Sequence, residues 1–201
     1  YDEEAGGSWL GVNDHGLIVG ILNRSISLGP ITGKRSRGEL VLEALDHADA
    51  VESAAAIKEI NENSYRDFNM LILDNRDAFW LKKNGGERVN CQPLPPGVSM
   101  LTAKELNDES SPRINHHLDR LQHAETPNPE AKNWHEWSDI LADKSCYIQD
   151  DPLTAMNITS SSGFGTVSAS LMALSNDINE RPICLFCDGP PDQNKFAPID
   201  I

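Results

Sequence analysis

The sequence predicts an α+β fold in which helices form a layer over antiparallel sheet. Three observations carry this. Strand-like and helix-like segments come in separate runs (strands, two helices, strands, two helices, strands) rather than in alternation. The chain opens on a hairpin pattern, Ser8–Val12 and Leu17–Leu22 around Asn13-Asp14-His15-Gly16. Short apolar runs are then punctuated by turn residues such as Asn84-Gly85-Gly86, as in a meander. With 201 residues, no internal repeat and no long linker, residues 1–201 read as one domain large enough to bury a core.

Leu17–Leu22 is almost continuously apolar, the mark of a strand buried on both faces, and it ends abruptly in the polar pair Asn23-Arg24. Ser25–Gly33 is a Gly/Pro loop. Ser36 and Glu39 match the capping box before Leu40, Val41, Ala44 and Leu45, which predicts a helix over Arg37–His47. An Ala-rich helix over Ala50–Asn61 follows. Phe68–Leu73, Ala78–Leu81 and Arg88–Cys91 form the meander, and Pro93–Gly97 is a rigid connector to a short strand, Val98–Thr102. Helices are predicted over Pro112–His123 and Glu130–Asp143, parted by Thr126-Pro127-Asn128-Pro129. Thr154–Thr159 is expected to pair with Thr166–Leu174, ahead of a last strand at Ile183–Phe186.

Composition bounds the partners. A net charge of −14 speaks against nucleic acid, because phosphate binding needs a basic face. No apolar run approaches the roughly 20 residues that cross a bilayer, so membrane insertion is not expected. The acidic start, Tyr1-Asp2-Glu3-Glu4, is no signal peptide. Four cysteines in a chain this long make no disulfide scaffold, which points to a reducing, cytoplasmic setting.

Several constellations have a plain reading beside a functional one. Cys184-Leu185-Phe186-Cys187 is formally CxxC, yet in a strand positions i and i+3 face apart, so a structural role is expected and no metal-ligand set is identifiable. His116, His117 and His123 on one helix read as solvated. Ser160–Gly165 reads as a hairpin loop. Lys34, Arg35 and Arg37 at a helix start could hold a substrate carboxylate or phosphate, or offset the acidic surface. Trp9 and Trp80 line a pocket or fill the core.

Gly6-Gly7-Ser8-Trp9-Leu10-Gly11-Val12-Asn13, Asn23-Arg24 and Ser36-Arg37-Gly38-Glu39-Leu40 resemble the NRDE family, which includes transport and Golgi organisation proteins. The resemblance continues in order through Phe68-Asn69, Asp77-Ala78-Phe79-Trp80, Leu101-Thr102 and Phe164-Gly165-Thr166. It implies the four-layer αββα sandwich of N-terminal-nucleophile hydrolases, with the first strand or strands, the nucleophilic Cys and the Asn-Arg-Asp-Glu signature upstream of Tyr1. Asn75-Arg76-Asp77-Ala78 lies at a hairpin turn and only mimics that signature. The implied activity is hydrolysis of a non-peptide amide C–N bond, with Asn23 as the catalytic residue that holds the oxyanion. Trp9, Arg37, Thr102 and Thr166 are the implied contacts to substrate. Ala103 and Val167 stand where many relatives carry Asn and Arg, which suits a competing reading without catalysis. In it the chain takes no cofactor for chemistry and instead carries haem or another small ligand.

Overall fold

The computed structural model describes residues 6–25, 27, 29, 31–149 and 151–200. Within the loop expected over Ser25–Gly33, Ile26, Leu28 and Pro30 lie outside the described residues, as does the acidic start at Tyr1. The architecture is α+β, with two antiparallel sheets and, among the described residues, four α-helices.

The larger sheet runs β1 (Leu10–Val12), β2 (Ile18–Asn23), β3 (Phe68–Leu73), β4 (Ala78–Lys83) and β5 (Asn90–Pro93), each strand hydrogen-bonded to the next. Helices α1 (Gly38–Leu45) and α2 (Ala50–Lys58) cover one face. Strand alternation explains which residues meet them. Val19, Ile21, Phe68, Met70, Ile72 and Leu81 point to the helices and join Leu40, Val41, Ala44, Ala54 and Ile57 in one core. The opposite face carries rows set by register: Leu22, Asn69 and Lys82 lie side by side, and Gly20, Leu71 and Trp80 form the next row.

Helices α3 (Pro112–His123) and α4 (His135–Ala142) build a second core with Met100, Ile114, Ile140 and Met156. The smaller sheet is β6 (Ala169–Ala173), β7 (Ile183–Cys187) and β8 (Ala197–Pro198). The two sheets meet at their turns, where Gly16 lies beside Leu174 and Pro182 and Asn75 Nδ2 donates to the Asn176 carbonyl at 3.5 Å.

Several expectations change. Val98–Thr102 is no strand: Met100 satisfies its main chain on Asn107 instead, with its N–H on Asn107 Oδ1 at 2.7 Å and its carbonyl on the Asn107 N–H at 2.9 Å. Thr154–Thr159 holds a 3-10 turn over Pro152–Thr154, and only Thr159 bridges to Gly165; β6 pairs with β7. Helix α4 starts at His135 because Asn128 and Asn133 close Asn128–Lys132 into its own turn. The capping box is not formed. Ser36 Oγ accepts from Gly38 N–H at 3.2 Å, while Glu39 pairs with Arg35. No described helix is long and apolar enough to cross a membrane.

Candidate functional site

A polar residue inside an apolar strand has to find partners, and Asn69, in the middle of Phe-Asn-Met-Leu-Ile-Leu, has four. It is fully buried. Its Nδ2 donates to the carbonyls of Thr102 and Lys104 at 2.8 and 2.7 Å. Its Oδ1 accepts from Arg24 Nη1 at 2.8 Å and Trp80 Nε1 at 3.2 Å. Guanidinium and indole can only donate and carbonyls can only accept, so these partners fix which end of the amide is which. One side chain thereby ties the exit of β2, strands β3 and β4, and the 102–105 loop together.

Arg24, once placed, turns Nη2 to Glu105 Oε1 at 2.6 Å, and Lys82 Nζ reaches Glu105 Oε2 at 2.5 Å. Lys82 also sits over the Trp80 ring, 5.1 Å from its centroid. Burial alone would raise the Glu105 pKa. The hydrogen bonds and charges of Lys82 and Arg24 outweigh it and hold the carboxyl below its ordinary value. The loop bearing Glu105 is anchored separately. Ser25 N–H donates to the Ala103 carbonyl at 2.9 Å, and Asn107, in the left-handed region at φ 55°, closes the loop on Met100 and Ser99.

The helix-covered face at the same strand end holds a second group. Asn23 pairs across the sheet with Phe68, and its Oδ1 is buried without a hydrogen-bond partner. Nearby in sequence, Arg37 is 8% exposed and spends Nη1 on the carbonyls of Ser27 and Asp67, both at 2.8 Å. Burial first, then the charge of Arg66, lowers its pKa, with Asp67 opposing. Lys83, also buried, pairs with Asp67 at 2.9 Å.

Of the residues singled out from sequence, Asn23, Arg37 and Thr102 therefore come to one end of the large sheet. Thr102 takes part through its carbonyl. Trp9 leads into edge strand β1, 46% exposed, its carbonyl accepting from Ile21 N–H at 2.9 Å. Thr166 sits in another loop, its hydroxyl accepting from Ile158 N–H at 2.9 Å. Trp80 is buried as well as hydrogen-bonded.

The histidines differ from expectation. His117 is fully buried, its Nε2 3.2 Å from the Thr154 carbonyl and its Nδ1 3.2 Å from Arg120 Nη1. A carbonyl needs a donor and a guanidinium an acceptor, so the ring is the neutral Nε2–H tautomer. His116 stacks on Tyr147, and only His123 is solvated, beside Asp119. Cys184 and Cys187 are both buried in β7, where burial raises both thiols, and no metal-holding cluster occurs among the described residues.

The residues missed from sequence are Arg24, Asn69, Lys82 and Glu105. Asn69 had a signal, a polar group interrupting an apolar run. Glu105 had none, because its partners Arg24 and Lys82 lie 81 and 23 residues away. The family model for Transport and Golgi organisation 2 matches residues 1–181. No match was found among curated proteins.

Proposed function

Because the chain belongs to the Transport and Golgi organisation 2 family, the NRDE family, we propose that it acts on a small molecule at the end of β2. In this reading its layers form the αββα body of an N-terminal-nucleophile hydrolase. The observation that carries it is Asn23, whose Oδ1 is buried and unpartnered where a core strand emerges. Such an acceptor costs free energy unless a ligand donor fills it. An amide ligand suits both ends of the side chain. Oδ1 accepts the ligand N–H, and Nδ2 donates to the oxygen that becomes negative in a tetrahedral intermediate.

The nucleophile would be a Cys on the segment upstream of Tyr1, its own α-amine taking the thiol proton. Sulfur adds to the amide carbon, the C–N bond breaks as the amine leaves with that proton, and water hydrolyses the thioester. The test is a set of N-acyl 4-nitroanilides mixed with protein that begins at its Cys. We expect a burst of nitroaniline and a covalent acyl adduct by mass spectrometry. Asn23→Ala should lower kcat by about 100-fold through the lost oxyanion donor and also raise KM through the lost N–H acceptor. Wild-type protein that forms no adduct on any acyl chain overturns the reading.

The apolar Ala103, on the loop that docks on Asn69, and the exposed Val167 suit a second reading, carriage of haem or another small ligand without chemistry. Haemin titration should then give a saturable Soret shift. A linear, unsaturating response excludes it.

A further inference from the structure

We propose that Arg24 and Lys82 form a binding site for a small-molecule carboxylate, which the chain's own Glu105 occupies as an internal stand-in. The two cations are built in place. Arg24 is held on its Nη1 side by Asn69 and the Lys104 carbonyl, at 2.8 and 3.3 Å, and its side chain is only 11% exposed. Lys82 rises from β4 over the Trp80 ring. Their free donors converge on one carboxylate, as two cations do on a bound acid.

Glu105 is the removable member of the three. Its side chain is 41% exposed and comes from a loop rather than the sheet. That loop keeps its shape without the carboxylate. Thr102 and Lys104 carbonyls sit on Asn69, the Ala103 carbonyl on Ser25 N–H, and Asn107 closes the base on Met100. Swinging Glu105 outward therefore breaks its own two ion pairs and nothing else that holds the loop. In a chain of net charge −14, a paired Arg and Lys is a local exception that only an anion can satisfy.

The surroundings select an acid with an apolar body. One row along the same face from Leu22, Asn69 and Lys82 lie Gly20, Leu71 and Trp80. Leu10, paired with Gly20 and 41% exposed, covers the glycine, its Cδ1 3.4 Å from where a Cβ on Gly20 would stand, so the row is apolar from Leu10 to Leu71. A short alkyl chain can lie against the exposed Leu10 side chain while its carboxylate replaces that of Glu105. The tethered Glu105 competes at the high effective concentration of any intramolecular group, so the site is weak until the tether moves. This inference concerns binding alone and stands apart from hydrolysis, since it needs no nucleophile.

The experiment is calorimetric titration of the whole chain with hexanoate, hexan-1-ol and inorganic phosphate. Glu105→Gln should bind hexanoate at least tenfold tighter than wild type, with no gain for hexan-1-ol. Adding Lys82→Met, which keeps the stem and removes the charge, should return the affinity to the wild-type level. Equal hexanoate affinity in wild type and Glu105→Gln overturns the proposal. So does an equal gain for the alcohol, which would mean apolar surface alone, or a larger gain for phosphate, which would mean another ligand class. If Glu105→Gln does not fold, Glu105→Asp serves. One methylene shorter, it cannot span both cations, and it should still bind hexanoate at least threefold tighter than wild type.

Discussion

Asn69 holds four partners with one buried amide, so its removal cannot be local. Asn69→Ala leaves the Trp80 indole N–H, one Arg24 donor and two loop carbonyls without their partner, and is expected to cost about 3 kcal/mol. Asn69→Asp keeps the acceptor for Arg24 and Trp80 but aims a second acceptor at the carbonyls of Thr102 and Lys104, and should cost at least as much. Urea unfolding of both variants measures this. At this scale the sequence was half legible. A polar residue at the end or middle of an apolar strand announces itself, as Asn23 and Asn69 do. A cation does not say whether it will be spent on its own chain. Lys34 and Arg35 are exposed, while Arg37, two residues on, is buried on the Ser27 and Asp67 carbonyls. Nothing local distinguishes the three, because the loop and strand that bury Arg37 are brought to it only by folding.

Elements were more legible than their junctions. The apolar periods of α1, α2 and α3 and the runs of β2, β3 and β4 survive because each buries a face, α1, α2 and the strands in the first core and α3 in the second. Two expected strands failed for one reason: Val98–Thr102 and Thr154–Thr159 have strand-like residues, but side chains or tight turns satisfy their backbones first. Junctions depend on contacts invisible along the chain. Asn13 was read as turn chemistry, and it does fold the hairpin, with Oδ1 accepting from His15 and Leu17 N–H, both at 3.0 Å. Its Nδ2 also donates to the Leu45 and His47 carbonyls at the end of α1, at 2.9 and 2.8 Å, where helix carbonyls lack partners. Asn13→Ala is expected to destabilise by about 2 kcal/mol, with amide exchange rising first at the end of α1. The two most specific sequence blocks turn out to meet. A Cβ on Gly7 would lie 2.4 Å from the Gly38 carbonyl carbon, and Ser8 N–H donates to the Gly38 carbonyl at 3.1 Å. Gly7 has no room for a side chain, and a Cβ on Gly38 would press on the Ser8 nitrogen at 3.0 Å, which is why Gly-Gly-Ser-Trp and Ser-Arg-Gly-Glu belong together.

For the whole molecule, acid is the expected weakness. Burial, then the charges of His116 and Arg120, pushes the His117 pKa down to about 4 from 6.5, with the Thr154 carbonyl and Asp143 opposing. The unfolded chain therefore takes up a proton near pH 6.5 that the folded chain refuses until about pH 4, and stability falls as pH drops through that window, by about 3 kcal/mol in full. Asp143 adds a lower window. Burial would raise its pKa, but the hydrogen bonds of Ser145 and the paired Arg120 bring it to about 2 from 3.8. Its contribution is present above pH 3.8 and lost as pH falls through about 2. Urea midpoints between pH 7 and 4 should decline in wild type and stay flatter in His117→Gln, which can still donate to Thr154 and accept from Arg120. An equal decline in the variant would remove His117 as the cause.

The anchorage of the 102–105 loop carries a consequence for the order of folding. Its carbonyls and Glu105 attach to Asn69 on β3, Lys82 on β4 and Arg24 and Ser25 just past β2, so there is nothing to dock on until those strands have paired. Docking then belongs after the rate-limiting barrier, and its loss should leave refolding speed nearly unchanged while quickening unfolding. The loop acts as a latch: closed last, it sets how long the folded chain persists rather than how fast it forms.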